Sequence, residues 1–190
     1  MSLPAAPVRI PTALVILAQD FEEIEALAPV DVLRRGGVAV TMASLDPNLS
    51  VRGCNQITVQ ADTTLDQALQ KTYDALVLPG GPGYMRLRAD PRLPPAIKAQ
   101  ASAGRVVAAI CAAPTLLLDA GLLTRRRYAC HFSVKNELPY GAAQAVVEDG
   151  YLITSQGPGT AVAFGLAILA RLTSPGQARR IASGLGHNEE

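Results

Sequence analysis

Tryptophan is absent from this 190-residue chain, and there are only three Phe and five Tyr. So few aromatic faces exclude a base-stacking platform for nucleic acid. Charge of either sign is scarce in excess: 17 Lys and Arg against 16 Asp and Glu leave a formal +1. That removes the electrostatic case for nucleic acid or an anionic membrane surface. Arg125-Arg126-Arg127 is a local basic run, which a solvated turn explains. No uninterrupted apolar run approaches the roughly 20 residues of a membrane-spanning helix. Cysteine is limited to Cys54, Cys111 and Cys130, an odd number with wide spacing. Without a C-x-x-C pair there is no zinc or thioredoxin motif, and the count fits a reducing compartment rather than a disulfide scaffold. Met1 to Pro11 holds three Pro and no apolar core of a secretory signal. Together these absences lead us to expect a cytoplasmic globule without metal, cofactor, nucleic-acid or membrane partner.

Hydrophobic residues make up 49% of the chain, enough for one sizeable core. Apolar runs at Thr12–Ala18, Val38–Ala43, Asp74–Leu78 and Arg105–Ile110 have the pattern of strands buried on both faces. A short strand is expected at Ile57–Val59, and a hairpin at Ala145–Thr154 turning on Asp149-Gly150. Amphipathic stretches alternate with them. The first runs from Glu22 to Arg35, with Asp20 as N-cap, Glu23 as its capping-box partner, Gly36-Gly37 as the stop and Pro29 as a kink. Others begin near Leu65 and cover Pro94–Ala103, the residues after Cys111, Ala161–Leu172 and about Gly176–Ser183. Arg127–Phe132 reads as a strand end carrying His131. The alternation predicts one doubly wound α/β domain with a mainly parallel sheet over residues 12–186. Residues 1–11 are expected to be a flexible segment and 187–190 a tail.

In such sheets ligands bind beyond the carboxyl ends of the strands. Three segments fall there: the start of the first helix, Pro79-Gly80-Gly81-Pro82-Gly83, and Ile110-Cys111-Ala112-Ala113-Pro114. In the last, a buried strand passes through one Cys into a helix that begins with Pro, the pattern of a nucleophile elbow. The helix terminus there would favour a thiolate. The competing reading of Cys111 is a buried structural thiol. Backbone N–H groups of Gly81 and Ala112 are the candidate oxyanion donors. Glu25 lies one turn into its helix between apolar neighbours, where a carboxyl would have a raised pKa; an exposed helix Glu is the alternative. Of the two His, His131 is the candidate proton relay, and His187 belongs to the tail.

Six segments, Leu14-Val15-Ile16-Leu17-Ala18, Glu22-Glu23-Ile24-Glu25, Pro29-Val30-Asp31-Val32-Leu33-Arg34-Arg35, Leu78-Pro79-Gly80-Gly81, Ala109-Ile110-Cys111-Ala112-Ala113-Pro114 and Thr154-Ser155-Gln156-Gly157-Pro158-Gly159-Thr160, together resemble the DJ-1/ThiJ/PfpI superfamily, nearest its DJ-1/YajL branch. The resemblance spans nearly the whole chain. It implies a flavodoxin-like three-layer sandwich that forms a homodimer. It implies Cys111 as the reactive Cys, Glu25 as the carboxyl beside it, His131 as the active-site His, and Gly81 and Ala112 as oxyanion donors. Gly80, Gln156, Gly157 and Pro158 become candidates for the substrate pocket. The implied activity is cofactor-independent glyoxalase or deglycase chemistry on dicarbonyls or glycated adducts, tied to carbonyl or oxidative stress. The alternative is a redox sensor or chaperone acting through oxidation of Cys111; a protease or amidotransferase ranks behind both. Four departures stand out. Ala112 occupies the position where protease-like branches carry His. Ala113 replaces a common Gly. Gln156 and Asn55 stand where Arg is usual in this branch.

Overall fold

The computed structural model describes residues 9–187. Most of the expected N-terminal segment, and the tail beyond His187, lie outside the described residues. The described part of that segment is tied to the sheet. Arg9 pairs with Asp74 at 2.8 Å, and the Pro11 carbonyl accepts from Ala39 N–H. At the other end, the His187 N–H donates to the Ala182 carbonyl.

Nine strands are described: β1 (Thr12–Leu17), β2 (Ala39–Ser44), β3 (Ser50–Arg52), β4 (Thr58–Gln60), β5 (Thr63–Thr64), β6 (Ala75–Leu78), β7 (Val106–Ile110), β8 (Val146–Asp149) and β9 (Leu152–Ser155). Seven form one sheet in the order β5-β2-β1-β6-β7-β9-β8. Every pairing in it is parallel except the β8–β9 hairpin at one edge. The hairpin turns at Gly150, with φ +62. β3 and β4 make a separate antiparallel pair. The helices are α1 (Glu23–Arg35), α2 (Leu65–Ala68), α3 (Tyr84–Ala89), α4 (Leu93–Ser102), α5 (Pro114–Asp119), α6 (Ala161–Leu172) and α7 (Pro175–Gly184). α1 and α6 pack together with α7, while α4 and α5 pack with β6 and β7. The result is the expected doubly wound, flavodoxin-like sandwich.

The central strands are apolar on both faces because helices cover both. All of Val106–Ile110 and Ala75–Leu78 are buried. The order reverses between β1 and β6: the chain winds from β1 outward through β2 and β5, then returns through β6 to β7 and β9. Such a reversal opens a crevice at the carboxyl ends of the strands. Register places the ends of β6, β7 and β9 side by side, with Leu78 beside Ala109 and Ile110 beside Ser155.

Several local expectations change. The N-cap of α1 is Glu22, whose Oε2 accepts from the Glu25 N–H at 2.7 Å. Asp20 instead takes φ +65, and Glu23 turns away from the cap. Its carboxylate accepts from the Asn55 backbone and side chain at 2.7 and 2.9 Å. The cap is taken over because the loop of the β3–β4 hairpin brings donors from Asn55 and Ile57 to Glu23, a nonlocal competitor that local spacing does not reveal. Pro29 lies inside α1 without ending it. Residues 127–131 form no strand; their ladder partner is a side chain, Thr154 Oγ1, which accepts from Ala129 N–H. β3, β5 and α3 are too short to leave a periodic signal.

Helix α1 approaches α6 closely at Gly165. A Cβ there would lie 3.0 Å from Pro29 Cα and 3.2 Å from Val32 Cβ. Gly165→Val should therefore cost about 1–3 kcal/mol by overpacking. Urea denaturation checks this, with Gly159→Ala as control, since a Cβ at 159 meets open space.

Candidate active site

Cys111 follows directly on β7 and has φ +67, a left-handed conformation that is strained for a residue with a side chain. Two backbone hydrogen bonds hold it. Its N–H donates to the Ser155 carbonyl at 3.0 Å, and its carbonyl accepts from His131 N–H at 2.8 Å. Behind it, Thr115 Oγ1 donates to the Ala112 carbonyl and steadies the turn into α5. The elbow read from Ile110-Cys111-Ala112-Ala113-Pro114 is thus present, and Cys111 is buried, with 8% of the residue exposed.

Glu25 is fully buried, so the exposed-helix alternative is excluded. Oε2 accepts from Gly80 N–H at 2.9 Å, and the carboxyl faces the Cys111 side chain across Gly80. Oε1 is buried without a hydrogen-bond partner. Burial pushes Glu25 up to about 7, against the opposing pull of its hydrogen bonds. Gly80 is what allows the approach. A Cβ there would lie 2.7 Å from both Cys111 Cβ and Glu25 Oε2. Gly81, at φ +75, has no room for a side chain either, since a Cβ would lie 2.4 Å from Glu22 N.

The expected acidic thiol is not what these surroundings produce while Glu25 is ionised. Burial first, then the Glu25 charge and hydrogen bond, push Cys111 up to about 12. Only the N–H groups of Gly81 and Ala112 pull it down. Desolvation outweighs the helix terminus because α5 is short and starts three residues beyond Cys111. Cys54 and Cys130 are also pushed up, chiefly by burial.

His131 caps a 3-10 turn at Phe132–Val134. Its Nδ1 lies 2.8 Å from Ser133 Oγ and accepts from Ser133 N–H at 3.3 Å. An accepting Nδ1 leaves the proton of the neutral ring on Nε2. The ring lies tilted against Phe132, centroids 4.0 Å apart, and has no carboxylate partner among the described residues. A cleft of about 350 Å³ opens here, lined by His131, Phe132, Lys135, Gln156, Gly157 and Pro158. Gly157 joins it to the buried pair: a Cβ at 157 would lie 3.3 Å from His131 Cδ2 and 3.8 Å from Glu25 Oε1. Of the pocket candidates, Gln156, Gly157 and Pro158 line the cleft, whereas Gly80 separates Cys111 from Glu25. Gln156 is occupied in donating to the Ala143 carbonyl at 2.9 Å. Ser133, Phe132 and Lys135 were missed; three residues on one 3-10 turn carry no signal apart from their nearness to His131. Asn55 lies away from the cleft, on Glu23. No cluster of three or more potential metal ligands occurs among the described residues.

Comparison with known proteins adds to this geometry. The model of the DJ-1/PfpI family matches residues 11–171. The chain belongs to that family. Protein dj-1beta of Drosophila melanogaster is 38% identical over 179 residues, 92% of this chain and 96% of its own length. Glutathione-independent glyoxalase DJR-1.2 of Caenorhabditis elegans is 37% identical over 171 residues, 86% of this chain and 90% of the relative. The crystal structure of Drosophila DJ-1beta superposes with a TM-score of 0.91 at 36% identity, covering 95% of this chain and all of that one. Oxidized DJ-1 of Toxoplasma gondii superposes at 0.90 with 32% identity, covering 94% of this chain and all of that one. These similarities place the chain in the DJ-1 branch.

The raised Glu25 pKa has a measurable consequence. A carboxyl that holds its proton more tightly when folded stabilises the protein below its unfolded pKa, near 4.5. That contribution is lost as pH rises through about 7. Relative to Glu25→Gln, which does not titrate, the wild type should lose about 3 kcal/mol between pH 4.5 and 8. Urea denaturation of both proteins across that range measures it. A difference that is flat with pH would contradict the assignment.

Proposed function

We propose that this DJ-1-branch protein is a cofactor-independent enzyme that uses Cys111 on small dicarbonyls or their adducts, as a glyoxalase or deglycase. The observation that carries the proposal is the buried Glu25 carboxyl beside the side chain of an elbow cysteine, with the N–H groups of Gly81 and Ala112 easing negative charge on the same sulfur. The glyoxalase name of the nematode relative supports the same chemistry.

Glu25 and Cys111 titrate as a pair. Two adjacent negative charges in a buried site are unfavourable, so above about 7 the pair is singly ionised, mainly as a Glu25 carboxylate beside a thiol; the reactive form is the proton-shifted arrangement of that same state, a thiolate beside a protonated Glu25. In that state the carboxyl donates a hydrogen bond to sulfur instead of repelling its charge. The thiolate adds to the aldehyde carbon of a dicarbonyl and forms a hemithioacetal. The electron pair of the C=O bond moves to oxygen, where Gly81 and Ala112 N–H groups stabilise it. Glu25 supplies the proton. His131 Nε2, at the mouth of the cleft, moves protons between the two former carbonyl carbons. That transfer oxidises one carbon and reduces the other, and addition of water then releases a hydroxy acid. The redox change is internal, so neither glutathione nor an external electron carrier is required. The homodimer and the cytoplasmic setting belong to the same proposal. Ile24 and Ile57, both 54% exposed and flanking Glu23, supply an apolar face for such a dimer. No helix among the described residues is long and apolar enough to cross a membrane.

A second reading, in which Cys111 serves as a redox sensor, draws on the same N–H pair, which would also bind a sulfinate oxygen. A hydrolase reading loses support from Ala112 and from the lack of a carboxylate beside His131.

Purified protein should consume methylglyoxal without added glutathione, and Cys111→Ser should reduce the rate to background. No turnover, with selective peroxide oxidation of Cys111 by intact-mass spectrometry, would favour the sensor instead. The pairing has its own signature. Iodoacetamide alkylation of Cys111 should rise with pH through about 7, reach a plateau, and rise again toward 12. Glu25→Gln should show one step only.

A further inference from the structure

The opposite end of the central strands carries a second cavity, unconnected with Cys111. It occupies about 350 Å³ at the amino ends of β1, β6 and β7. Leu14 and Leu76 form its floor, and Pro95 and Ala99 of α4 form one wall. Two segments close the remaining sides: the loop that leads into β6, and Arg105, which leads into β7. Gln100 braces them, since its buried side chain donates to the Tyr73 carbonyl at 3.0 Å and to the Val106 carbonyl at 3.2 Å. The walls are therefore fixed by hydrogen bonds before any ligand arrives.

The charges around the cavity are unequal in kind. Arg92 is neutralised by Asp90 and Asp66 at 2.6 and 2.7 Å. Lys71 and Arg105 enter no ion pair among the described residues. Arg105 is the more telling. Its Nε–H is buried and has no hydrogen-bond partner. Buried donors are nearly always paired, and a charged one without an acceptor is costly. The Arg105 side chain makes no hydrogen bond among the described residues, and its terminal N–H groups, outside the buried Nε, are the ones a ligand oxygen in the cavity can reach. The apolar floor excludes a bare inorganic anion as the best occupant, and the cationic rim excludes a neutral hydrocarbon.

We propose that this cavity is a binding site for small organic carboxylates with an apolar body. The carboxylate is held by Arg105, with Lys71 at the rim, and the hydrocarbon lies on Leu14 and Leu76. The site is roughly 20 Å from Cys111, the length of β7 with its flanking residues. Occupancy there leaves the thiol free.

Octanoate is the probe. Titration calorimetry on the full chain should give saturable binding, with octan-1-ol at least tenfold weaker. Arg105→Met keeps most of the bulk and removes the charge-assisted hydrogen bond, so affinity should fall about tenfold or more. Ala99→Trp, on the exposed face of α4, should block the cavity and abolish binding. Protein alkylated at Cys111 should bind octanoate as the untreated protein does. If Arg105→Met loses its fold by circular dichroism, exposed Lys71→Gln carries the charge test, with an expected loss of about two- to fivefold. No saturable binding overturns the proposal. So does unchanged affinity in Ala99→Trp or in the folded charge variants, and so does loss of binding on Cys111 alkylation.

Discussion

The candidate active site depends on one buried contact, the approach of the Glu25 carboxyl to the Cys111 side chain. Solvent is excluded from both groups, so each sets the charge of the other. An isolated buried thiol would stay protonated, as would an isolated buried acid. Placed together, they can release one proton between them. Gly80 is the condition for the contact, because any larger residue would stand between the two side chains. Its N–H also binds Glu25 Oε2, so the residue that makes room for the carboxyl fixes its position too.

The rest of the fold keeps that contact in register. Glu25 comes from the helix after β1, Gly80 from the end of β6, Cys111 from the end of β7, and Gly157 from beyond β9. Parallel pairing brings these four ends to one rim. The positive φ of Cys111 is a cost that the Ser155 and His131 backbone bonds offset. His131 therefore serves the elbow with its backbone as well as the cleft with its ring. The opposite rim has no comparable strain, and there the unpaired side chains of Lys71 and Arg105 determine what can bind.

The fold was legible to a large extent. Strands β1, β6 and β7 are covered by helices on both faces, so they read as apolar runs, and α6 is recovered at Ala161–Leu172. Pieces of two to six residues, such as β3, β5 and α3, escaped because they hold no complete period. The cap of α1 was misplaced for another reason. Asp20 and Glu23 have ideal local spacing, but the loop at Asn55 competes for Glu23 with several backbone and side-chain donors. At the site, Cys111 was visible because strand, small residues and Pro follow each other in sequence. Ser133, Phe132 and Lys135 were not, since nothing local distinguishes them.

By itself the sequence determined the class of fold, the strand-to-helix turn at Cys111 and the family, because each of these is written in contiguous residues. Only the tertiary structure decided the protonation of the site. Burial of Glu25 and its contact with the thiol join residues far apart in the chain, and desolvation is a property of the packed surroundings rather than of residue type. The same holds for Arg105: a common surface residue in the sequence, it becomes an unsatisfied buried donor only when β6, β7 and α4 close around it.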